Sequence, residues 1–277
     1  MTTDDREHDG STPREPGAPP LLVFHRDGLT VLKLNRPQQL NAIDRSMALA
    51  LIAAVEDVAA DDGCRCLMIT GSGRAFCSGQ SLGTAGGEDE LPTDIYGLIR
   101  ERYVPLVLAL RHLPVPVVAA VNGPAVGAGF SLALAADVRV ASDSAWFSCA
   151  FAQIGLVPDS GATYFLPRMV GVGLALHYAL TGERIEMARA LELGLVSTVF
   201  AADRFEADAE AFSHRLAEGA TRALGFTKRA LYAGADGTLE AELDLEARLQ
   251  QQASTTDDFR EGLSAFRQKR KPEFKGR

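Results

Sequence analysis

Apolar residues recur along this chain with two alternating periodicities. Leu29, Val31 and Leu34 are spaced as in a strand, and Asn35-Arg36-Pro37 predicts the point where that strand ends. Residues 45–60 then carry apolar side chains at near-helical spacing, behind Asp44 as a helix cap. A strand followed by an amphipathic helix is the first unit that the pattern predicts.

Short, largely apolar runs follow at residues 66–70, 116–121 and 137–141, and they predict buried strands. Helical patterns lie between them, at residues 95–113 and from Gly127 onward. Strands that alternate with helices favour right-handed crossovers and parallel pairing. The predicted fold class is therefore α/β.

The chain divides into three predicted regions. Residues 1–20 are acidic and proline-rich, and we expect a disordered tail rather than a signal peptide. Residues 21–203 form the predicted core domain. Residues 204–277 contain only helical patterns and are expected to dock on the core or on a neighbouring subunit. These patterns lie at residues 205–217, 221–233, 239–252 and 259–269.

Composition argues against several classes of partner. The formal net charge of −8 disfavours a nucleic-acid-binding face. The longest apolar region, residues 115–136, is interrupted by prolines and glycines that lipid-exposed backbone tolerates poorly, so we expect no membrane partner. The four cysteines and five histidines lack metal-ligand spacing, which predicts no metal and the reduced thiols of a cytoplasmic protein.

Two turns of small residues, each placed after an apolar run, are the strongest chemical signal. They are Phe76-Cys77-Ser78-Gly79-Gln80-Ser81-Leu82 and Asn122-Gly123-Pro124-Ala125-Val126-Gly127-Ala128-Gly129. Glycine allows a ligand to approach the main chain, and amides at a helix N-terminus favour negative charge. Close packing of a helix on a strand is the alternative explanation for one such turn. Two turns at one sheet edge favour an anion hole that stabilises an oxyanion.

Two other motifs have the wrong context. Residues 79–83 match the G-x-S-x-G pattern of serine hydrolases, but no strand runs directly into Ser81 and no helix runs directly out. Residues 71–76 begin like a dinucleotide-binding loop, yet Phe76 replaces the third glycine. We therefore expect neither a serine hydrolase nor a nicotinamide enzyme.

Asp159 is the one acidic residue in the apolar segment 147–168. Apolar surroundings raise the pKa of a carboxyl group toward the range useful for proton transfer, so Asp159 is a candidate base. It also precedes a predicted helix, where it would serve as an N-cap. The residues alone favour the cap slightly. Phe266 and Lys269, in the basic C-terminus, fit either a solvated tail or a site for a phosphorylated ligand.

From Leu22 to its end the chain resembles the crotonase (enoyl-CoA hydratase/isomerase) superfamily. The resemblance rests on both glycine turns and on six further segments, namely 35–42, 155–159, 166–168, 180–184, 188–196 and 259–270. It implies a spiral of ββα turns, a C-terminal helical trimerisation region, and coenzyme A thioester substrates. The enolate oxygen would lie between the amides of Gln80 and Ala128.

The resemblance also implies contacts and an assembly. No cofactor is expected beyond the coenzyme A of the substrate, and the expected assembly is a homotrimer or a dimer of trimers. Ser81 stands where an aspartate is common in the family. The residues expected to contact substrate or coenzyme A are Ser78, Gln80, Ser81, Leu82, Gly127, Ala128, Ser131, Phe151, Phe266 and Lys269.

Two departures from the family pattern bear on the reaction. Ser131 and Phe151 occupy the positions where hydratases of the family carry glutamates. The Pro158-Asp159 pair is similar to the acidic position of its isomerases, which favours Asp159 as the base over the cap. We expect an isomerase that shifts a C=C bond with one base. The alternatives are a hydratase that draws a second group from a mobile loop at 83–94, or a non-catalytic acyl-CoA-binding member.

Overall fold

The computed structural model describes residues 18–83 and 93–277. The strands are β1 (Leu21–Arg26), β2 (Leu29–Leu34), β3 (Cys66–Gly71), β4 (Val117–Val121), β5 (Ala125–Val126), β6 (Val138–Ser142), β7 (Trp146–Ser148), β8 (Arg184–Glu186) and β9 (Thr198–Phe200). The helices are α1 (Arg45–Ala60), α2 (Ile95–Leu98), α3 (Val104–His112), α4 (Ala128–Ala135), α5 (Ala162–Thr181), α6 (Met187–Glu192), α7 (Phe205–Ala217), α8 (Thr221–Gly234), α9 (Leu239–Ser254) and α10 (Asp257–Gln268).

The main sheet has the strand order β1-β2-β3-β4-β6-β9. All neighbours from β2 to β9 pair in parallel, as the alternation of strands and helices predicted. At the edge, β1 pairs antiparallel with β2 through a tight turn at Asp27 and Gly28, both of which have positive φ. The sequence pattern did not predict this first strand. A smaller sheet, in the order β5-β7-β8, packs beside the glycine turns.

The central parallel strands β3 and β4 are almost entirely apolar because both faces of the sheet are covered. On one face, Leu67 and Ile69 belong to the larger hydrophobic core, which also contains the buried side of α1. On the opposite face, Met68 packs in a second cluster that includes Phe205 of α7. The carboxyl ends of β3 and β4 are therefore anchored from both sides, at the edge where the glycine turns begin.

Local signals account for the helix limits. The Asp44 carboxylate accepts a hydrogen bond from the Met47 amide at 2.7 Å, so α1 begins directly after it, as predicted. The four C-terminal helices lie within two residues of their predicted limits. One of them, α8, docks on the core of its own chain, where the Lys228 ammonium lies 2.9 Å from the buried Asp137 carboxylate.

The predicted tail and loop fall largely beyond the described residues. Positions 1–17 of the tail lie outside the description, and so do positions 84–92 of the predicted loop at 83–94. At the described end of the tail, the main-chain oxygens of Pro19 and Pro20 accept hydrogen bonds from Asn35. The chain therefore enters the sheet along a path tied to the end of β2.

The long helix α5 presents apolar side chains to solvent. Val172, Leu176 and Leu180 follow one another at intervals of four residues and are all exposed. Gly171 has non-helical backbone angles and kinks the helix ahead of this stripe. Among the helices of residues 18–83 and 93–277, none has the length and apolar character needed to cross a membrane.

Candidate active site

The first glycine turn leaves β3 and is braced by a buried asparagine. The side-chain amide of Asn41 donates to the main-chain oxygens of Ser72 and Ala75, at 2.9 and 2.8 Å. A Cβ on Gly71 would lie 2.1 Å from the Ala75 oxygen, so only glycine permits the chain to double back here. The Asn41 contacts explain why the early segment at 35–42 matters for the turn that follows β3.

The second glycine turn is joined to the first by main-chain hydrogen bonds. The Cys77 amide donates to the Pro124 oxygen at 3.1 Å, and the Val126 amide donates to the Cys77 oxygen at 2.9 Å. A Cβ on Gly129 would lie 2.2 Å from that Cys77 oxygen. The two turns therefore form one hydrogen-bonded unit, with α4 packed against it.

Two unused amides meet where the turns touch. Gly79 has a φ of +102°, and a Cβ there would lie 3.4 Å from the Ala128 nitrogen and 2.9 Å from the Val126 oxygen. Among the described residues, the amides of Gln80 and Ala128 donate to no protein acceptor. Ala128 is the first residue of α4, where the helix dipole adds partial positive charge. This arrangement can accept an oxyanion.

A cavity of about 220 Å³ opens beside these amides. It is lined by seven of the predicted site residues, namely Ser78, Gln80, Leu82, Gly127, Ala128, Phe151 and Asp159. Four predicted residues do not line it. Ser81 turns away with its amide bonded to the Ile43 oxygen, and Ser131 is fully buried behind the wall. Phe266 and Lys269 lie at the end of α10, where Phe266 is 83% exposed.

Asp159 is half-buried at the cavity wall, in an environment suited to proton transfer. Burial raises the pKa of its carboxyl group, while a hydrogen bond from the Ser160 hydroxyl, 2.8 Å from Oδ1, opposes that rise. The N-cap interpretation of Asp159 is wrong, because Gly161 occupies the N-cap of α5 and no side chain caps that helix. Ser160 and Gly161 both have positive φ, and this turn sets the direction of Asp159.

The sequence profile of the enoyl-CoA hydratase/isomerase family matches residues 25–277. The chain belongs to this family. A probable enoyl-CoA hydratase of Rhodobacter capsulatus is 44% identical over 91% of this chain and 96% of its own length. The 1,2-epoxyphenylacetyl-CoA isomerase of Escherichia coli is 41% identical over 93% of this chain and 98% of its own.

Solved structures of the enoyl-CoA hydratase/isomerase family share the fold. A crystal structure from Mycobacterium abscessus, titled as a putative enoyl-CoA hydratase/isomerase, superposes with a TM-score of 0.87 at 35% identity. The superposition covers 93% of this chain and 100% of the Mycobacterium abscessus chain. The crotonase-type α/β fold inferred from the sequence is thereby confirmed.

Ser131 and Phe151, the two positions at which the resemblance implied a departure from the hydratase pattern, lie close to Gly127. The Ser131 hydroxyl contacts main-chain oxygens of Gly127 and Asp159, at 3.2 and 3.0 Å. The Phe151 ring is buried beside Gly127, where a Cβ would lie 4.0 Å from the ring tip. Among the described residues that line the cavity, Asp159 is the only acidic one.

Sequence reasoning missed two polar residues that line the cavity, Gln153 and Tyr103. Tyr103 lines the cavity although it is only 3% exposed, and its hydroxyl donates to Gln80 Oε1 at 2.7 Å. The only sequence signal was its spacing from Leu106 and Leu110 on the buried face of the helical pattern. Among the described residues, no group of three acidic, His or Cys side chains is arranged to hold a metal ion.

Proposed function

We propose that the protein is an acyl-CoA isomerase that moves a C=C bond of an enoyl thioester. The observation that carries the proposal is the single carboxylate, Asp159, in a cavity that also presents the free amides of Gln80 and Ala128. A double-bond shift needs one base and one oxyanion site. The described cavity supplies both.

The proposed reaction moves one proton. The Asp159 carboxylate removes a proton from C2 of a 3-enoyl thioester, and the electron pair forms a dienolate. The thioester oxygen then carries negative charge, which the amides of Gln80 and Ala128 stabilise by two hydrogen bonds. Asp159 returns the proton at C4, so the C3=C4 bond becomes C2=C3 and the enzyme is regenerated.

Hydration is the second candidate, because the Rhodobacter capsulatus relative is named a probable enoyl-CoA hydratase. Adding water across a double bond benefits from one group that takes the proton of water and a second that positions it. Ser131 and Phe151 have no carboxylate, so neither residue can take the proton of water as a glutamate would. A hydratase would therefore need a second catalytic group from outside the described cavity wall. A third candidate, a non-catalytic acyl-CoA-binding protein, would need no catalytic group.

The coenzyme A portion has its own proposed contacts. Phe266 and Lys269 fit an adenine ring and a phosphate, respectively. Since neither lines the cavity of its own chain, we place them against the nucleotide of a thioester bound to a neighbouring subunit, in a homotrimer or a dimer of trimers. Exposed Leu239 and Leu243 of α9, with the α5 stripe, offer apolar surface for such contacts.

Incubation with a 3-enoyl-CoA and a 2-enoyl-CoA in heavy water separates the candidates. Isomerised product with deuterium incorporation supports the proposal. Accumulation of a 3-hydroxyacyl-CoA supports hydration, and tight binding without exchange or turnover supports a non-catalytic protein. Either of these last two results overturns the isomerase assignment.

A further inference from the structure

Tyr103 reaches the cavity because the helix that carries it is locally widened. Residues Ile99–Tyr103 form a π-helical turn, and the Val104 amide donates to the Ile99 oxygen five residues back. Pro105 follows directly; it lacks an N–H and disfavours a regular α-helical turn before it. Such widened turns are frequent at functional sites. This turn projects a tyrosine hydroxyl into the active-site wall.

The Tyr103 hydroxyl is the start of a chain of hydrogen bonds to the oxyanion loop. It donates to Gln80 Oε1 at 2.7 Å, and Gln80 Nε2 donates in turn to the Ser81 oxygen at 2.8 Å. Both ends of the Gln80 side chain are thus engaged. The side chain of Gln80 faces the helix, and its main-chain N–H is left without a described protein partner.

The rest of the loop is held by main-chain bonds to the preceding segment, and the bonds on either side of Gln80 go to one residue, Ile43. The Ile43 amide donates to the Gly79 oxygen at 2.7 Å, and the Ser81 amide donates to the Ile43 oxygen at 2.8 Å. These two bonds hold the peptides on either side of Gln80. The hydrogen bond from Tyr103 is made to the Gln80 side chain itself, and it comes from the cavity side of the loop.

We propose that Tyr103 is a positioning residue for the oxyanion hole, acting through the Gln80 side chain to aim the Gln80 amide at the thioester oxygen. The inference rests on the proposed function only in that an enolate is the anion held. Burial raises the pKa of Tyr103 well above its usual value, and Cys77 and Asp159 add to that rise while Arg102 opposes it. The hydroxyl therefore keeps its proton and remains a donor at the pH of catalysis.

Tyr103→Phe removes the hydroxyl and keeps the ring, and Tyr96→Phe is the matched control. Tyr96 lies in the same helical segment but is 77% exposed and does not line the cavity. We expect Tyr103→Phe to lower kcat about tenfold, the effect of one lost hydrogen bond, with KM little changed. Tyr96→Phe is expected to match the wild type. A rise in KM at unchanged kcat would instead assign Tyr103 to the substrate-binding wall and overturn the proposal.

A double-variant cycle tests the route through Gln80. Gln80→Leu removes the acceptor of the Tyr103 bond and retains the main-chain amide. If Tyr103 acts through this side chain, adding Tyr103→Phe to Gln80→Leu causes no further loss of kcat. Fully multiplicative losses would mean that the two residues act independently, contrary to the proposal.

Amide hydrogen exchange supplies a measurement that does not depend on turnover. The Ser78 and Ser81 amides are protected by bonds to the Leu40 and Ile43 oxygens. We expect both to exchange faster in Tyr103→Phe than in Tyr96→Phe. Unchanged exchange overturns the positioning role, even if the wild type turns over no enoyl-CoA. Faster exchange in a protein that turns over no enoyl-CoA would contradict the proposed function and leave the role of Tyr103 intact.

Discussion

The hydroxyl of Ser131 donates to the main-chain oxygen of Asp159 across 3.0 Å. Ser131 lies one turn into α4, so this bond joins the helix that begins with the Ala128 amide to the loop that carries Asp159, the proposed base. The position at which hydratases of the family carry a glutamate is used here as a link between two parts of the site. Ser131 itself is fully buried.

Replacing Ser131 by alanine removes that link without adding bulk. The Asp159 oxygen then loses a buried partner, and we expect kcat to fall about tenfold through misplacement of the base. Ser131→Glu is expected to displace the loop and to lower isomerisation further, without producing 3-hydroxyacyl-CoA. Product analysis by chromatography checks both variants, and efficient hydration by Ser131→Glu would contradict the structural role given to Ser131.

Asp159→Asn keeps the shape of the side chain and removes the base. Isomerisation is expected to fall by about 10²- to 10⁴-fold, with thioester binding retained. Because Asp159 must be ionised to accept the C2 proton, kcat/KM of the wild type should rise with pH through a pKa above the ordinary value of 3.8. A pH–rate profile tests this, and a wild-type profile without that acidic limb would exclude Asp159 as the base.

The same substitution should raise stability at neutral pH. The pKa of Asp159 is raised on folding, so the folded chain binds the proton more tightly than the unfolded chain does. The wild type therefore loses stability as the pH rises from about 3.8 through the raised pKa, and Asp159→Asn is exempt from this loss. Urea unfolding at pH 7 and pH 4 should show a gain for the variant that shrinks at the lower pH. An equal gain at both would contradict the assigned shift.

Gly79→Ala should inactivate the enzyme by blocking the oxyanion hole. The added Cβ would lie 3.4 Å from the Ala128 nitrogen and 2.9 Å from the Val126 oxygen, so the two turns must separate. We expect an activity loss of about 10²- to 10³-fold. Gly194→Ala is the matched control, since Gly194 also has positive φ (+71°) but has open space at its Cβ. The positive φ alone should cost each variant about 1 kcal/mol of stability, to which Gly79→Ala adds the cost of its clash. Equal losses of activity in the two variants would refute the steric argument.

Lys228→Met should loosen the C-terminal helices. Lys228 is paired with Asp137 at 2.9 Å, and both side chains are largely buried. Removing the cation leaves the Asp137 carboxylate without its ion-pair partner and with only the hydrogen bonds from the Val117 amide and the Tyr232 hydroxyl, which costs about 3 kcal/mol in the free energy of unfolding. Asp137→Asn in the same chain should recover part of that loss. Urea unfolding measures the stability of both variants. If Lys228→Met alone loses no stability beyond experimental error, the ion pair does not hold α8.

Much of this fold follows from local signals in the sequence. Asp44 and the apolar spacing behind it predicted the limits of α1, and the apolar runs predicted the parallel strands. The role of Asp159 was ambiguous because the left-handed turn at Ser160 and Gly161, which moves the N-cap away from it, is not visible in a periodicity. Tyr103 was missed for a related reason, since the π-helical turn changes the helical register on which such patterns depend.

The hydrogen bonds that join Cys77 to Pro124 and Val126 make the two glycine turns a single rigid unit. The distance between the Gln80 and Ala128 amides is thus fixed before a thioester binds, and a bulkier acyl group does not increase it. Selectivity for chain or ring must then reside in the apolar lining of the cavity, which includes Leu98, Phe151 and Leu156. The reaction chemistry and the substrate selectivity therefore depend on different segments of the chain. Substitutions in the cavity lining can change the selectivity while the glycine turns stay the same.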